Sequence, residues 1–314
     1  MNAITVKLEL KSHIKLSEIE LSRILETDVD TLRKASLHLL DAGGKRIRPA
    51  IVFLSALCMN QDLDKVVKYA AVVEGIHLAT LIHDDVIDES NIRRGMPSVN
   101  GKYGFKVAIL SGDFILAKIT HYLSLLPNKE PVSLMAEVIM RMAEGEVMQQ
   151  EDLFKIVPVE RYIIRCINKT AKLISSSALL GTIDVVEKRN IFADFGLNLG
   201  IAFQIIDDIL DFTGEMKKLG KLPGSDLKSG VVTLPVLLLS KKSKEVRLLL
   251  ENKTEDDLNK IIEMVRNEEV LKESVNLAKN YSERALECLS ELNINNIYSR
   301  TLIDYVKMLE ERVS

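Results

Sequence analysis

The chain has few of the features that mark exported, membrane-spanning or nucleic-acid-binding proteins. Its 314 residues include no tryptophan, 3 cysteines, 7 prolines and 15 glycines, and only 5% are aromatic. Three scattered cysteines without metal-site spacing do not indicate a disulfide scaffold, which favours a reducing cytoplasm. A formal net charge of -3 provides no basic surface for nucleic acid. The N-terminal segment lacks a signal-peptide core, and no uncharged apolar run approaches the roughly 18 to 20 residues of a transmembrane helix.

Apolar residues recur at three- and four-residue spacing along most of the chain, as at Leu258, Ile261, Ile262 and Val265. This is the period of an α-helix, and 47% of the residues are hydrophobic, so we expect an all-α fold with no strand–helix alternation. Glycines and prolines divide the pattern into helices of ordinary length. None of these interruptions resembles an interdomain linker. We therefore expect one domain over residues 1–314.

Two acidic clusters each follow a strongly apolar helical run. We name them the first cluster, Asp84, Asp85 and Asp88, and the second cluster, Asp207, Asp208 and Asp211. The outer aspartates of each cluster are four residues apart and share one helix face, where like charges repel. Each cluster also lies near the C-terminal end of its helix, where the helix dipole disfavours anions. A hard cation such as Mg²⁺ relieves both penalties, and it completes its coordination with water and phosphate oxygens, so we expect a phosphorylated substrate.

Basic side chains accompany the acidic clusters. They are Lys45, Arg46 and Arg48 in GGKRIRP, Arg93 and Arg94 after the first cluster, Lys169 in NKT, and Lys217, Lys218 and Lys221 after the second cluster. Guanidinium groups bind phosphate oxygens through two parallel hydrogen bonds. These residues therefore favour the hypothesis that the protein binds a phosphorylated substrate.

Together these motifs closely resemble those of the trans-isoprenyl diphosphate synthases, long-chain type. They stand in that family's order and spacing: GGKRIRP from residue 43, DDVID from 84 with RRG from 93, KT from 169, and FQIIDDILD from 203. The resemblance extends from about Gly43 to Pro235. It implies the isoprenoid synthase fold, a single all-α bundle around an elongated central cavity, with the two clusters facing each other across its mouth.

The resemblance also implies a role for each matching residue. Mg²⁺ would be held by Asp84, Asp88, Asp207 and Asp211. The allylic diphosphate would be held by Arg93, Lys169, Thr170, Gln204 and Lys221. Isopentenyl diphosphate would be held by Lys45, Arg48, His77 and Arg94. The catalytic residues would be Asp84, Asp88, Lys169, Asp207 and Asp208. We expect His83 and His121 to be structural.

The implied activity is that of a Mg²⁺-dependent prenyltransferase. It would condense farnesyl or geranylgeranyl diphosphate with successive isopentenyl diphosphates to give a long-chain all-trans polyprenyl diphosphate, for quinone side chains. The alternatives are a short-chain geranylgeranyl diphosphate synthase, a terpene cyclase or head-to-head synthase, and a non-catalytic subunit of a heteromeric synthase. GGKRIRP implies a second diphosphate site, which a cyclase does not need, and a non-catalytic subunit has no need of six aspartates.

Product length is expected to depend on Ala79 and Thr80, five and four residues before Asp84. Short-chain family members carry bulky aromatic residues at these places, which close the cavity, and here both residues are small. The tail should therefore descend further, to a floor formed by residues such as Phe53, Ile139 or Met142.

One position departs from the family's common pattern. Many members have a lysine where this chain has Val231, shortly before Thr233, Leu234 and Pro235. In having an apolar residue at this position, the chain resembles the catalytic subunits of some heptaprenyl-type enzymes, which work with a separate partner subunit. Lys228 is a candidate for the cation that replaces the lysine. We expect a homodimer, with a heteromer as the alternative, and peripheral membrane contact for product release.

Overall fold

A computed structural model of the chain describes residues 3–93, 95–213, 223–267 and 269–313. The first half contains α1 Ala3–Ile24, α2 Asp30–Asp41, α3 Ile47–Cys58, α4 Leu63–Ile87, β1 Ile92–Arg93, β2 Met96–Pro97, α5 Val99–Tyr103, α6 Phe105–Leu125 and α7 Glu130–Glu151. The second half contains α8 Val159–Cys166, the π-turn Ile167–Ala171, α9 Lys172–Gly181, α10 Arg189–Thr213, α11 Ser225–Lys228, α12 Leu234–Lys242, α13 Glu245–Asn252, α14 Glu255–Asn267, α15 Val270–Glu291 and α16 Ile297–Glu310. The all-α expectation is confirmed.

The chain divides into two compact units. The first unit comprises Met1–Ile139, Ser176–Phe192 and Ile294–Leu302, and the second comprises Met140–Ser175, Ala193–Asn293 and Ile303–Ser314. The first cluster belongs to the first unit and the second cluster to the second. The expectation of a single domain over the whole chain stays a prediction.

Helix α4 is the core of the first unit. It packs against α1, α3 and α6, and residues such as Val72, Ile76 and Leu78 are fully buried. Burying each large aliphatic side chain contributes about 1.5–3 kcal/mol. Gly75 allows the close approach of α6, because a Cβ there would lie 2.7 Å from Ile119 Cδ1. Within the described ranges, α4 alone has the length and composition of a membrane span, yet 67% of its most apolar window is buried in the fold, as in the core helix of a globular unit.

The two ends of α4 have clear local causes. Asp62 caps the N-terminus, where its Oδ1 accepts a hydrogen bond from Asp64 N at 3.0 Å. The helix ends at Ile87, with Asp88 as its C-cap residue and Glu89 at a left-handed φ of 50°. The first cluster therefore lies at the C-terminal end of a buried apolar helix, as the sequence predicts.

In the second unit, α12 packs against α15 and α8, and α10 passes close to the π-turn. Gly200 permits this approach, because a Cβ there would lie 2.5 Å from Ala171 Cα. The strand-like sequence after Gly230 forms the start of α12, with Pro235 in its first turn, as we expect for a proline that begins a helix.

Candidate active site

The first cluster combines accessible outer aspartates with a buried middle one. Asp84 is half-buried and Asp88 is exposed, whereas the Asp85 side chain is 1% exposed. Arg93 Nε donates to Asp85 Oδ1 at 2.7 Å and to Oδ2 at 2.8 Å. Asp85 therefore anchors Arg93. The Arg93 side chain remains 25% exposed, so it can still meet a ligand.

The β1–β2 ribbon, which carries Arg93, is itself held by side-chain contacts. Strand β1 pairs antiparallel with β2, and His38 Nε2 lies 2.8 Å from Pro97 O. Ser98 Oγ donates to Ser90 O at 2.7 Å. Side chains on both flanks of the ribbon thus fix the turn that follows the first cluster.

One side of α4 is accessible over its last three turns. His77, Thr80, Leu81 and Asp84 are partly exposed, whereas Ala79 is fully buried. Thr80 Oγ1 donates to His77 O at 2.9 Å. His77 and Asp84 therefore share one accessible stripe, in agreement with their spacing, and the chain-length candidate Ala79 faces the packed interior.

The structure also shows where the predicted tunnel-floor residues and the two histidines expected to be structural lie. Phe53 is fully buried and stacks on His13 with ring centroids 5.3 Å apart, whereas Ile139 and Met142 are partly exposed on α7. His83 packs against Gly112, with its Nε2 3.2 Å from Ile109 O, and His121 is exposed on α6. These contacts agree with the structural role expected for His83.

The loop that carries GGKRIRP alternates in exposure. Lys45 is exposed and Arg48 is half-buried, but Arg46 between them is 8% exposed. Gly43 has a left-handed φ of 80°, and α3 begins at Ile47. Lys45 and Arg48, which we expect to bind isopentenyl diphosphate, are thus the accessible cations of this loop.

The outer aspartates of the second cluster each have a protein partner. Arg312 Nη2 lies 2.9 Å from Asp207 Oδ1, and both side chains are partly exposed. Asp211 Oδ1 accepts from Ser225 Oγ at 2.8 Å, and its Oδ2 accepts from Asp226 N at 3.2 Å. Asp207 thus has an exchangeable counter-ion, whereas Asp211 joins the end of α10 to the start of α11.

The middle aspartate of the second cluster is buried. Asp208 is 4% exposed; its Oδ2 accepts from Tyr162 Oη at 2.7 Å and its Oδ1 from Gln204 Nε2 at 2.8 Å. Burial raises the pKa of Asp208 to about 7, the nearby Asp226 carboxylate raises it too, and the two hydrogen bonds act in the opposite direction. Asp208, which we expect to be catalytic, thus lies in a buried hydrogen-bond network with Tyr162 and Gln204.

The Asp208 network continues to the π-turn. Thr170 Oγ1 donates to Gln204 Oε1 at 2.7 Å, so both ends of the Gln204 amide are held by the protein. Lys169 Nζ lies 2.5 Å from Glu146 Oε2, and its side chain is 25% exposed. The π-turn Ile167–Ala171 thus directs Thr170 into a buried network and leaves Lys169 accessible, and such turns are frequent at functional sites.

The segment around Val231 is fixed by backbone contacts. Val231 N donates to Asp226 O at 2.8 Å, and Arg165 Nη2 donates to Val232 O at 2.8 Å. Lys228 is half-buried in α11. Four predicted phosphate contacts, Arg94, Lys217, Lys218 and Lys221, lie outside the described residues.

A family model described as Polyprenyl synthetase matches residues 29–268. The chain belongs to this family. It is therefore a prenyltransferase with the isoprenoid synthase fold, and the resemblance read from the motifs is confirmed.

Named relatives of this polyprenyl synthetase match most of its length. Heptaprenyl diphosphate synthase component 2 of Bacillus subtilis (strain 168) is 35% identical over 290 residues, which cover 90% of this chain and 83% of the relative. The crystal structure of heptaprenyl diphosphate synthase from Staphylococcus aureus superposes with a TM-score of 0.91 at 34% identity, over 97% of this chain and 99% of that one. Polyprenyl synthase from Caulobacter crescentus CB15, complexed with calcium and isoprenyl diphosphate, superposes with a TM-score of 0.88 at 30% identity, over 97% and 95%.

The donor set of this polyprenyl synthetase fits a divalent cation. The outer aspartates offer only oxygen ligands and stay partly or fully exposed. In the part of the chain that the structure describes, no three His, Cys, Asp or Glu side chains converge as a metal cage. Mg²⁺ does not need such a cage, because it binds through one or two carboxylates together with waters and phosphate oxygens.

Several residues of the site carry no signal in the sequence. Tyr162 and Glu146 lie in ordinary amphipathic helices, and Arg312 lies more than 100 residues after the second cluster. Their partners Asp208, Lys169 and Asp207 are all in recognisable motifs. The motifs indicate the predicted ligands, whereas only the fold shows which side chains hold them in place.

Proposed function

We propose that this polyprenyl synthetase joins successive isopentenyl diphosphates to an allylic primer, farnesyl or geranylgeranyl diphosphate, and releases a long-chain all-trans polyprenyl diphosphate. The observation that carries the proposal is the shared design of the two clusters. Each has accessible outer aspartates and a middle aspartate that is buried against a protein partner, Arg93 for Asp85 and Tyr162 for Asp208. The outer carboxylates of each cluster are four residues apart and repel each other, and a divalent cation between them would relieve that repulsion.

Mg²⁺ would be held by the outer aspartates, Asp84 and Asp88 in the first cluster and Asp207 and Asp211 in the second. When bound, it supplies Lewis-acid stabilisation of the negative charge that grows on a departing diphosphate. The calcium in the Caulobacter crescentus structure supports a divalent cation in this family. Magnesium is our choice because of its preference for carboxylate and phosphate oxygens.

Cationic side chains of the protein would hold the two diphosphates separately. Lys169 and Arg93, both partly exposed, would bind the allylic diphosphate together with Lys221. Lys45, Arg48, His77 and Arg94 would bind isopentenyl diphosphate. Thr170 and Gln204 would hold the allylic diphosphate from the edge of a buried network, in which Thr170 donates to Gln204 and Gln204 donates to Asp208.

The reaction begins when the allylic carbon–oxygen bond ionises and the diphosphate leaves. Cations that already point at the departing oxygens stabilise this charge without further reorganisation. The double bond of isopentenyl diphosphate then attacks the allylic cation, and the released diphosphate accepts the proton that is lost. We therefore assign no general base to the protein, whose apolar side chains exclude water from the cation.

The long-chain product is supported by the residues before the first cluster. Ala79 and Thr80 are small, and the named relatives above include two heptaprenyl diphosphate synthases. The alternative is a geranylgeranyl diphosphate synthase. We propose that the product serves quinone side-chain synthesis and that the protein works in the cytoplasm. The three free thiols at Cys58, Cys166 and Cys288 support the cytoplasm, because thiols stay reduced there.

The proposed assembly is a homodimer. The Bacillus subtilis relative is named component 2, and Val231 replaces a lysine that is common in the family, so a heteromer with a second chain is the alternative. A non-catalytic role is disfavoured, because all outer aspartates and the accessible Lys45, Arg48 and Lys169 are retained.

The experiment that tests the function is a condensation assay. Purified protein is incubated with radiolabelled isopentenyl diphosphate, Mg²⁺ and either farnesyl or geranylgeranyl diphosphate, and the products are sized by chromatography. We expect products longer than geranylgeranyl diphosphate. Incubation of the allylic primer alone is the control for cyclase activity, and a cyclised hydrocarbon formed there would contradict the proposal.

A further inference from the structure

The loop between α2 and α3 has an unusual backbone. Gly43 and Gly44 have φ values of 80° and 153°, and Arg46 has a φ of 49° and a ψ of 39°, in the left-handed region. A glycine adopts such angles readily, but an arginine does so only when its surroundings hold it there. The contacts of Arg46 should therefore explain the conformation.

Arg46 makes a dense set of buried contacts. Its Nε donates to Glu18 Oε1 at 2.8 Å and its Nη1 to Glu74 Oε1 at 2.7 Å. Its Nη2 donates to Leu40 O at 2.7 Å, and Nη1 lies 3.4 Å from Gly43 O. One guanidinium thus joins α1, the end of α2 and the middle of α4 to the start of α3.

These contacts exclude Arg46 as a phosphate ligand. Its side chain is 6% exposed and Glu74 is 5% exposed, so no ligand reaches the pair. All three of its nitrogens donate to protein oxygens, and two carboxylates beside it would repel an anion. The neighbours Lys45 and Arg48 differ, because both have exposed surface.

We propose that Arg46 is a positioning residue for the isopentenyl diphosphate site. It fixes the left-handed turn that presents Lys45 on one side and Arg48 on the other, and this inference rests on the proposed function. Through Glu74 it also ties the loop to α4, which carries His77 three residues later. Only a planar guanidinium with a fixed fork reaches two carboxylates and a carbonyl at once, so a lysine cannot replace it.

The test is Arg46→Lys, which retains the charge and removes the fork. We expect the KM for isopentenyl diphosphate to rise about tenfold, whereas the KM for the allylic primer and kcat at saturating substrates stay within twofold. Calorimetric titration of isopentenyl diphosphate without primer should show the same loss of affinity. Arg33→Lys is the matched control, because Arg33 Nη2 donates to Asp30 at 2.6 Å in an accessible pair, and it should change none of these values.

Glu18→Gln is the second variant, since Glu18 is 22% exposed and its replacement leaves the Arg46–Glu74 pair intact. Glu18→Gln should also raise the KM for isopentenyl diphosphate. It therefore keeps the inference testable if Arg46→Lys fails to fold. Unchanged affinity for isopentenyl diphosphate in both variants overturns the inference, and so does an equal loss in both substrates' KM and in kcat. A wild-type chain that binds isopentenyl diphosphate but forms no product contradicts the proposed function alone, because the calorimetric comparison still decides the role of Arg46.

Discussion

Arg312 Nη2 lies 2.9 Å from Asp207 Oδ1, and the same guanidinium lies 5.7 Å from the centre of the Phe203 ring. The turn after α16 thus supplies a counter-ion to the first aspartate of the second cluster. A metal ion that binds Asp207 has to compete with this counter-ion. Because both side chains are about one-third exposed, the pair is worth at most about 1 kcal/mol.

Removal of this counter-ion should make metal binding easier. We expect Arg312→Ala to lower the Mg²⁺ concentration for half-maximal activity by up to about fivefold, the factor equivalent to ~1 kcal/mol. Arg284→Ala is a matched control, because Arg284 lies over the Tyr281 ring on α15. An unchanged or higher Mg²⁺ requirement would show that Arg312 does not compete with the metal.

Chelation should abolish turnover, because the outer aspartates would hold the metal. Asp84→Ala and Asp207→Ala should each lower kcat by roughly 10³-fold, equivalent to several kcal/mol of leaving-group stabilisation. Circular dichroism should show unchanged helicity, since both side chains are accessible. Asp304→Ala, at an exposed side chain on α16, is the control. Full activity in chelator would rule out the assigned mechanism.

Product length should respond to the size of residue 79. Ala79 is fully buried, so Ala79→Tyr should shorten the main product to farnesyl or geranylgeranyl diphosphate and destabilise the fold by about 1–3 kcal/mol through overpacking. The first condensation should persist, because the diphosphate ligands are unchanged. Ala79→Ser is the near-isosteric control and should retain the wild-type product. Unaltered product length in a folded Ala79→Tyr variant would place the tunnel elsewhere.

The Tyr162–Asp208 hydrogen bond should contribute to stability. Tyr162→Phe leaves a buried carboxylate with one donor fewer, and we expect a loss of about 1–3 kcal/mol in the free energy of unfolding, measured by urea denaturation. Tyr281→Phe is the control, because the Tyr281 ring meets Arg284 on a partly exposed helix face. Equal stability of the Tyr162→Phe variant and the wild type would mean that Asp208 finds its donors elsewhere.

The assembly is decided by two measurements on the purified single chain. Light scattering should give about twice the mass of one chain, and the same sample should be active without any added protein. A folded chain that becomes active only with a second gene product would contradict the homodimer and support the heteromer suggested by Val231.

The helical architecture could be predicted from the sequence because its cause is local. The three- and four-residue spacing of Leu258, Ile261, Ile262 and Val265 defines α14, whose buried face these residues form. The apolar-to-acidic change at Asp84 predicts the accessible C-terminal end of α4. The predicted ligands Lys45, Asp84 and Lys169 lie in short contiguous motifs, so they could be named from the sequence as well.

The supporting contacts could not be predicted, because they join residues that are far apart in the chain. Asp85 and Asp208 look identical to their outer neighbours in the sequence, and only the helix faces on which they lie bury them. Tyr162 meets Asp208 across 46 residues, and Arg46 meets both Glu18 and Glu74 across 28. No short-range pattern encodes such pairs.

The π-turn Ile167–Ala171 also limits how this chain can change by insertion or deletion. A π-turn contains one more residue than an α-helical turn and takes up that residue within the turn, so the helices on either side of it keep their faces. The wide turn lets two adjacent side chains take different partners, Lys169 at Glu146 and Thr170 at Gln204. Deletion of one residue there would close the turn to a regular helix with one side chain fewer, and Lys169 or Thr170 would lose its place. The length of the segment between Cys166 and Lys172 therefore matters for this pair more than for the helices that flank it.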